Sequence, residues 1–180
     1  MRRKSTTSED MCLYIAYGLL AMMEKQEYSS ITIQQIVTKA GVNRSTYYRH
    51  FTSKEDVIQY FFHHIISEYL QKCAHPTLTF PEFLVGFFTH LLQYKTQILT
   101  IHNSGLSYLL HDVYTHLLIG KAEKNATLAQ QYRTRFQIGG SSNLLLFWFS
   151  RGMVETPQQM CQFILKILPP NYDSYLMPQE

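Results

Sequence analysis

The sequence predicts an all-α protein, on three observations. Helix start and stop signals recur along the chain: Thr or Ser followed three residues later by an acidic or amide side chain, with Gly or Pro at the far ends. Apolar residues return at spacings of three and four. Alternation of the kind a strand needs is weak throughout, and no repeat period or low-complexity tract appears.

Taken in order, a first helix starts at Thr7 or Ser8, with Glu9 and Asp10 in its first turn. Its stripe is Met11, Ile15, Leu19 and Met22, with Leu20 and Met23 beside it. A second helix opens at Thr32, where Thr-x-x-Gln (Thr32 to Gln35) caps two free backbone donors, and closes at Gly41, a residue suited to a left-handed ending. Asn43 is placed to cap a short third helix running to about Phe51. Ser53, with Asp56 three residues on, caps a long fourth helix carrying Ile58, Phe61, Phe62, Ile65 and Tyr69, which ends before Pro76.

The segment from Ala74 to Thr79 reads as a hinge, after which Thr79 and Glu82 restart the pattern. Helical stretches are expected from Phe80 to about Ile101, from Leu106 to Ile119, from Lys121 to Ser150 with an interruption at Gly139 and Gly140, and from Pro157 to Leu168. Thr156, Pro157 and Gln159 open the last helix, and Pro169 and Pro170 stop it.

With 180 residues, 46% hydrophobic and 16% charged, the chain suits one compact domain, or a small module of a larger assembly, and excludes a disordered or fibrous protein. The longest nearly unbroken apolar stretch, Met11 to Met23, is 13 residues, short of the roughly 20 a spanning helix needs. Arg2, Arg3 and Lys4 precede it, but Glu9 and Asp10 abut it and no small-residue cleavage site follows, so a cytoplasmic protein without a membrane partner is expected. Cys12, Cys73 and Cys161 lack the paired spacing of a zinc site or a disulfide framework. His63 and His64 are adjacent, and His111 and His116 stand five apart without a His-Glu-x-x-His frame; neither a metal nor a cofactor is expected, and His90 and His102 read as core or pocket residues.

Charge is scarce against the roughly 25% of an average domain, while the chain holds 11 Phe, 13 Tyr and one Trp. Such a surface hides area in a homo-oligomer, or else Tyr and His replace charge on a monomer. The net charge of +3 is small, but its distribution is uneven. From Ser29 to Lys54 there are four basic side chains, Lys39, Arg44, Arg49 and Lys54, and no carboxylate. The stretch from Thr32 to Phe51 is two short helices joined by a Gly-containing turn, the layout of a helix-turn-helix. Ile33, Ile36 and Val37 brace the first helix; Arg44, Ser45, Thr46, Tyr48, Arg49 and His50 give the second a polar face slim enough for a major groove about 12 Å wide. Tyr47 and Phe51, four apart, face the core.

Residues Thr32 to Val57, TIQQIVTKAGVNRSTYYRHFTSKEDV, resemble the DNA-binding region of the TetR family of bacterial transcription regulators. The matching features are Thr32, the Ala40 to Val42 turn, Ser45, Tyr48, His50 and Phe51, and Ser53 to Glu55. Departures are Ser45 where glycine is frequent, Asn43 where serine is frequent, and Tyr47 where phenylalanine or leucine is frequent. The resemblance implies a three-helix DNA-binding domain over 1–53 and a helical ligand-binding and dimerisation domain over 54–180. It implies that Arg44 and Ser45 face base edges, Arg44 offering a fork to guanine, and that Thr32, Thr46, Tyr48, Arg49, His50 and Lys54 complete the double-stranded DNA contact, Lys54 from the amino end of the fourth helix.

Regulators of this kind bind as two-fold dimers on repeated half-sites. Leu144 to Phe149 is apolar on every side of a helix, and the final helix carries Met160, Ile164, Ile167 and Leu168 in one stripe. By the resemblance these last two helices form the homodimer interface, through Leu144, Phe147, Trp148, Met160, Ile164 and Ile167. The family also implies a repressor released by a small hydrophobic effector, with an activator, or control by a protein partner, as the alternative. An enzyme is not expected: the chain has no Gly-x-Ser-x-Gly, Walker or dinucleotide-binding sequence.

Overall fold

The computed structural model describes residues 7–73, 78–122 and 126–168. Among these the secondary structure is helical without a strand: α1 (Ser8–Met23), α2 (Ile33–Ala40), α3 (Arg44–His50), α4 (Lys54–Lys72), α5 (Phe80–Leu92), α6 (Lys95–Asn103), α7 (Leu109–Ala122), α8 (Leu128–Ser150) and α9 (Pro157–Ile167). A single 3-10 turn over Tyr28–Ser30 precedes α2. Arg2, Arg3 and Lys4, the hinge at 74–77 with Pro76, and the stop at Pro169 and Pro170 lie outside the described residues.

The start signals act as the sequence implies. Thr7, Thr32, Ser53, Thr79 and Thr156 each form a reciprocal capping box with the side chain three residues on. Asn43 does not; its side chain makes no cap hydrogen bond, and α3 opens on backbone bonds from Thr46 and Tyr47 to the Asn43 carbonyl.

The carboxy-terminal part differs from the sequence expectation in three places. The stretch from Phe80 to Ile101 is two helices, because the backbone tightens at Gln93 and Tyr94 and the Tyr94 hydroxyl donates to Glu68 of α4 at 2.7 Å. Gly105, at φ 75°, ends α6, and a turn delays α7 to Leu109. Lys121 belongs to α7, whereas α8 starts at Leu128 on a Thr127 cap and passes Gly139 and Gly140 unbroken. Glycine in a helix interior costs about 1 kcal/mol; burial of the apolar Ile138 and Leu145 on either side of the pair acts against that cost.

Among the described residues, the buried apolar side chains other than Ile138 form one contiguous cluster from Cys12 to Cys161. α4 lies at its centre, burying Val57, Ile58, Phe61, Phe62, Ile65, Ile66 and Tyr69. α1 packs on α2 and α4, α4 also meets α5 and α7, α7 packs on α8, and α5 on α9. Two glycines permit close approach. A Cβ at Gly18 would touch Ala40 and the Ile36 carbonyl at 3.4 Å, so α1 and α2 pack nearly backbone to backbone. A Cβ at Gly86 would overlap the Tyr69 hydroxyl, which donates to the Phe83 carbonyl at 2.7 Å and ties α4 to α5. The aromatic residues of α5 are core: Phe83 stacks parallel to Phe87, both lie against Tyr69, and Phe88 meets Trp148 edge-on at 5.2 Å. Among the described residues no helix is long and apolar enough to cross a membrane, and no group of three or more His, Cys, Asp or Glu side chains is arranged to hold a metal ion.

Candidate nucleic-acid interface

The α2–α3 unit is built from the inside outward. Ile36 and Val37 are buried under α1, and Gly41, at φ 67°, turns the chain so that Val42 donates back to the Val37 carbonyl at 3.0 Å. Three residues, Gly41 to Asn43, separate the two helices. α3 then buries Tyr47 completely and leaves its other residues exposed or half-buried. The Tyr47 ring lies 5.8 Å from that of Phe51, and its hydroxyl donates to the Ser53 carbonyl at 2.8 Å. Burial, helped by the charge of Asp56, pushes this phenol up to about 12, so it remains a donor throughout the neutral range.

With Tyr47 as anchor, the helical period turns Arg44, Ser45, Tyr48 and Arg49 outward, all exposed, with Thr46 and His50 half-buried at the edges. Arg44 donates to the Tyr48 hydroxyl at 3.2 Å and lies 5.5 Å from its ring centre, so guanidinium and phenol present one shared surface. His50 reaches Ser8 at the start of α1 at 3.3 Å, tying the end of α3 to the first helix.

Two sequence-selected residues are engaged within the chain. The Thr32 hydroxyl donates to Gln35 at 2.9 Å and accepts from the Gln35 backbone at 3.3 Å, which leaves one oxygen lone pair outward. Lys54 turns inward: its ammonium donates to the Tyr28 and Ile31 carbonyls at 2.7 and 2.8 Å and covers the Tyr28 ring at 4.2 Å. The cause is the turn at Tyr28–Ser30, which has no signature in the sequence and, with Ile31 just after it, presents two carbonyls to the start of α4. Next to it Asp56 accepts from the Thr52 and Ser53 backbones and hydroxyls; these bonds, the Thr52 hydroxyl first, hold its carboxyl below the usual aspartate value.

The residues expected at a dimer seam divide in two. Phe147 is 66% exposed and Ile167 71%, with Leu144 and Ile164 half-buried. Trp148 at 1% and Met160 at 4% are core residues of the protomer and offer no surface to a partner. Trp148 packs on Phe88 and Phe149 and donates its indole N–H to the Glu155 carbonyl at 3.3 Å, because the successive residues 147 and 148 lie about 100° apart on α8. The sequence reading omitted Leu128, Tyr132 and Phe136, exposed at steps of four on α8, with Phe136 at 84%. Their four-residue spacing is the signal in the sequence that marks them, once the helix is taken from Leu128.

Comparison with known proteins places this architecture. Residues 19–61, which run from α1 into α4, match the family model of bacterial regulatory proteins of the tetR family. An uncharacterised HTH-type transcriptional regulator of Bacillus subtilis (strain 168), YxbF, is 42% identical over 38 residues, 21% of this chain; the chain spans a tenth of that curated relative's length. Two solved structures share the whole fold. A TetR transcriptional regulator from Streptococcus agalactiae 2603V superposes with a TM-score of 0.58 at 19% identity, over 89% of this chain and 94% of its own. The TetR family repressor AlkX from Dietzia sp. strain DQ12-45-1b, implicated in biodegradation of n-alkanes, gives 0.54 at 15% identity, over 94% and 99%. The amino-terminal helices thus match the tetR family model over residues 19–61, and the chain shares the fold of these two solved regulators.

Proposed function

We propose that the protein is a DNA-binding transcriptional regulator acting as a homodimer, each protomer laying α3 in the major groove of one half of a palindromic operator. The observation that carries this reading is the outer face of α3: Arg44, Ser45, Tyr48 and Arg49 are exposed on a helix anchored by a fully buried Tyr47. No carboxylate occurs between Ser29 and Lys54 to repel phosphate. Arg44 and Ser45 read base edges; Thr46, Tyr48, Arg49 and His50, with Thr32 from the start of α2, hold the backbone.

The homodimer rests on the uncovered apolar surface of α8 and α9, through Leu144, Phe147, Ile164 and Ile167. Repression, with release by a small hydrophobic effector in the helical body, is the regulatory mode the family suggests. α4 is suited to carry the signal, because it packs on α1 as well as on α5 and α7. A hundredfold release needs an effector that prefers the released geometry by about 2.7 kcal/mol. A protein partner is the second reading of control: the exposed Phe136, Tyr132 and Leu128 extend the apolar face of α8 beyond the proposed seam. Titration with hydrophobic small molecules, beside co-purification from cell extract, separates the two.

Selection of bound fragments from random duplex DNA tests the proposal. The expected product is a palindrome whose half-sites lie about one helical turn apart or a multiple of it. Fragments without symmetry, or no enrichment at low salt, would contradict it.

A further inference from the structure

The inward turn of Lys54 gives it a role different from a phosphate contact. Two of its three N–H groups meet the Tyr28 and Ile31 carbonyls, and the ammonium covers the Tyr28 ring. Ile31 is itself buried and immediately precedes Thr32, the cap of α2. Lys54 therefore ties the lead-in of α2 to the first turn of α4.

The neighbouring residues tie the other half of the unit to the same turn. The Tyr47 hydroxyl, from the middle of α3, donates to the carbonyl of Ser53, the cap of α4. Asp56 closes over the Thr52 and Ser53 amides and fixes the backbone that carries both attachments. Within five residues, 52–56, α4 thus receives one polar tether from the start of α2 and one from α3. A tilt of α4 carries both helices with it.

We infer that Lys54 is a positioning residue for DNA recognition: its ammonium sets the pose of the α2–α3 unit on α4 and does not neutralise a phosphate. This role rests on the DNA-binding function proposed above. It makes two demands that a phosphate contact does not. Loss of Lys54 should impair binding to the selected palindrome more than binding to random duplex. It should also leave the salt dependence unchanged, whereas losing one phosphate contact per protomer lowers the slope of log K against log salt by about 1.8 for a dimer.

The experiment measures affinity for the strongest selected fragment and for a random duplex of equal length, across salt concentrations, at a temperature where circular dichroism shows every variant folded. Lys54→Met and Lys54→Arg are compared with Tyr47→Phe, which removes the other tether without changing charge. Arginine is the decisive variant, since it holds phosphate at least as well as lysine but replaces a compact ammonium, which meets both carbonyls at one point, with a rigid planar fork of different reach. The expected result for all three is about a tenfold loss on the selected fragment, little change on random duplex and an unaltered slope. A reduced slope for Lys54→Met with full binding by Lys54→Arg would overturn the inference in favour of a phosphate contact. Unchanged selective affinity in both Lys54 variants would overturn it in favour of a purely structural clamp. Failure of the unaltered protein to select any duplex is a separate outcome: it would defeat the DNA-binding reading, and this role with it.

Discussion

The protein leaves two surfaces uncovered, and they differ in kind. The outer face of α3 is short, polar and cationic, with its apolar side closed by Tyr47 and Phe51. The outer face of α8 is long and apolar, exposing Leu128, Tyr132, Phe136 and Phe147 beside wholly buried Trp148 and Phe149. A cationic face in water costs little and attracts a polyanion from a distance. An exposed aromatic face of this extent is unfavourable in water and calls for a partner that removes it from solvent. The contrast separates the two faces by chemistry, and the proposed function gives reading to α3 and joining to α8.

Substitutions at each face sharpen that contrast. The largest effect is expected where α8 turns inward: Trp148→Ala should lower protomer stability by about 3–5 kcal/mol in chemical denaturation, as for a large core side chain. Its neighbour should behave oppositely. Phe147→Glu should leave the protomer folded but weaken the dimer by about 2 kcal/mol or more, read as monomers in sedimentation; unchanged dimers would remove Phe147 from the seam. On α3, Arg44→Ala should cost about 1–3 kcal/mol on the selected operator and relax base preference at one position per half-site. Equal losses on specific and random DNA would make Arg44 a phosphate contact instead.

The smallest effect is an acid one. The carboxyl of Asp56 lies below its ordinary value because of the Thr52 and Ser53 hydrogen bonds, so its support of the α4 cap is fully present above the unfolded value of about 3.9 and fades as pH falls through the lower folded one. Melting temperature measured from pH 5 to 2 should fall less steeply in Asp56→Asn than in the unaltered protein.

The amino-terminal helices were readable because each feature is local. Capping boxes span three residues, Gly41 marks its own turn, and Tyr47 and Phe51 share a face by helical spacing alone. What the sequence concealed depends on contacts distant along the chain. The direction of Lys54 is set by carbonyls more than twenty residues earlier, through a turn with no motif of its own. The break after Leu92 carries neither Gly nor Pro and depends on Tyr94 meeting Glu68 across the core. In the run from Leu144 to Phe149 every residue is apolar, so composition could not say which side chains face the core; packing against Phe88 assigns Trp148 inward.

The central claim, that the outer face of α3 enters the major groove, is tested most directly by following backbone amide resonances while the protein is titrated with its selected duplex. The largest shifts should fall on residues 44–50, with the exposed end of α2 next and the face of α8 unmoved. Shifts concentrated elsewhere while residues 44–50 stay still would contradict it.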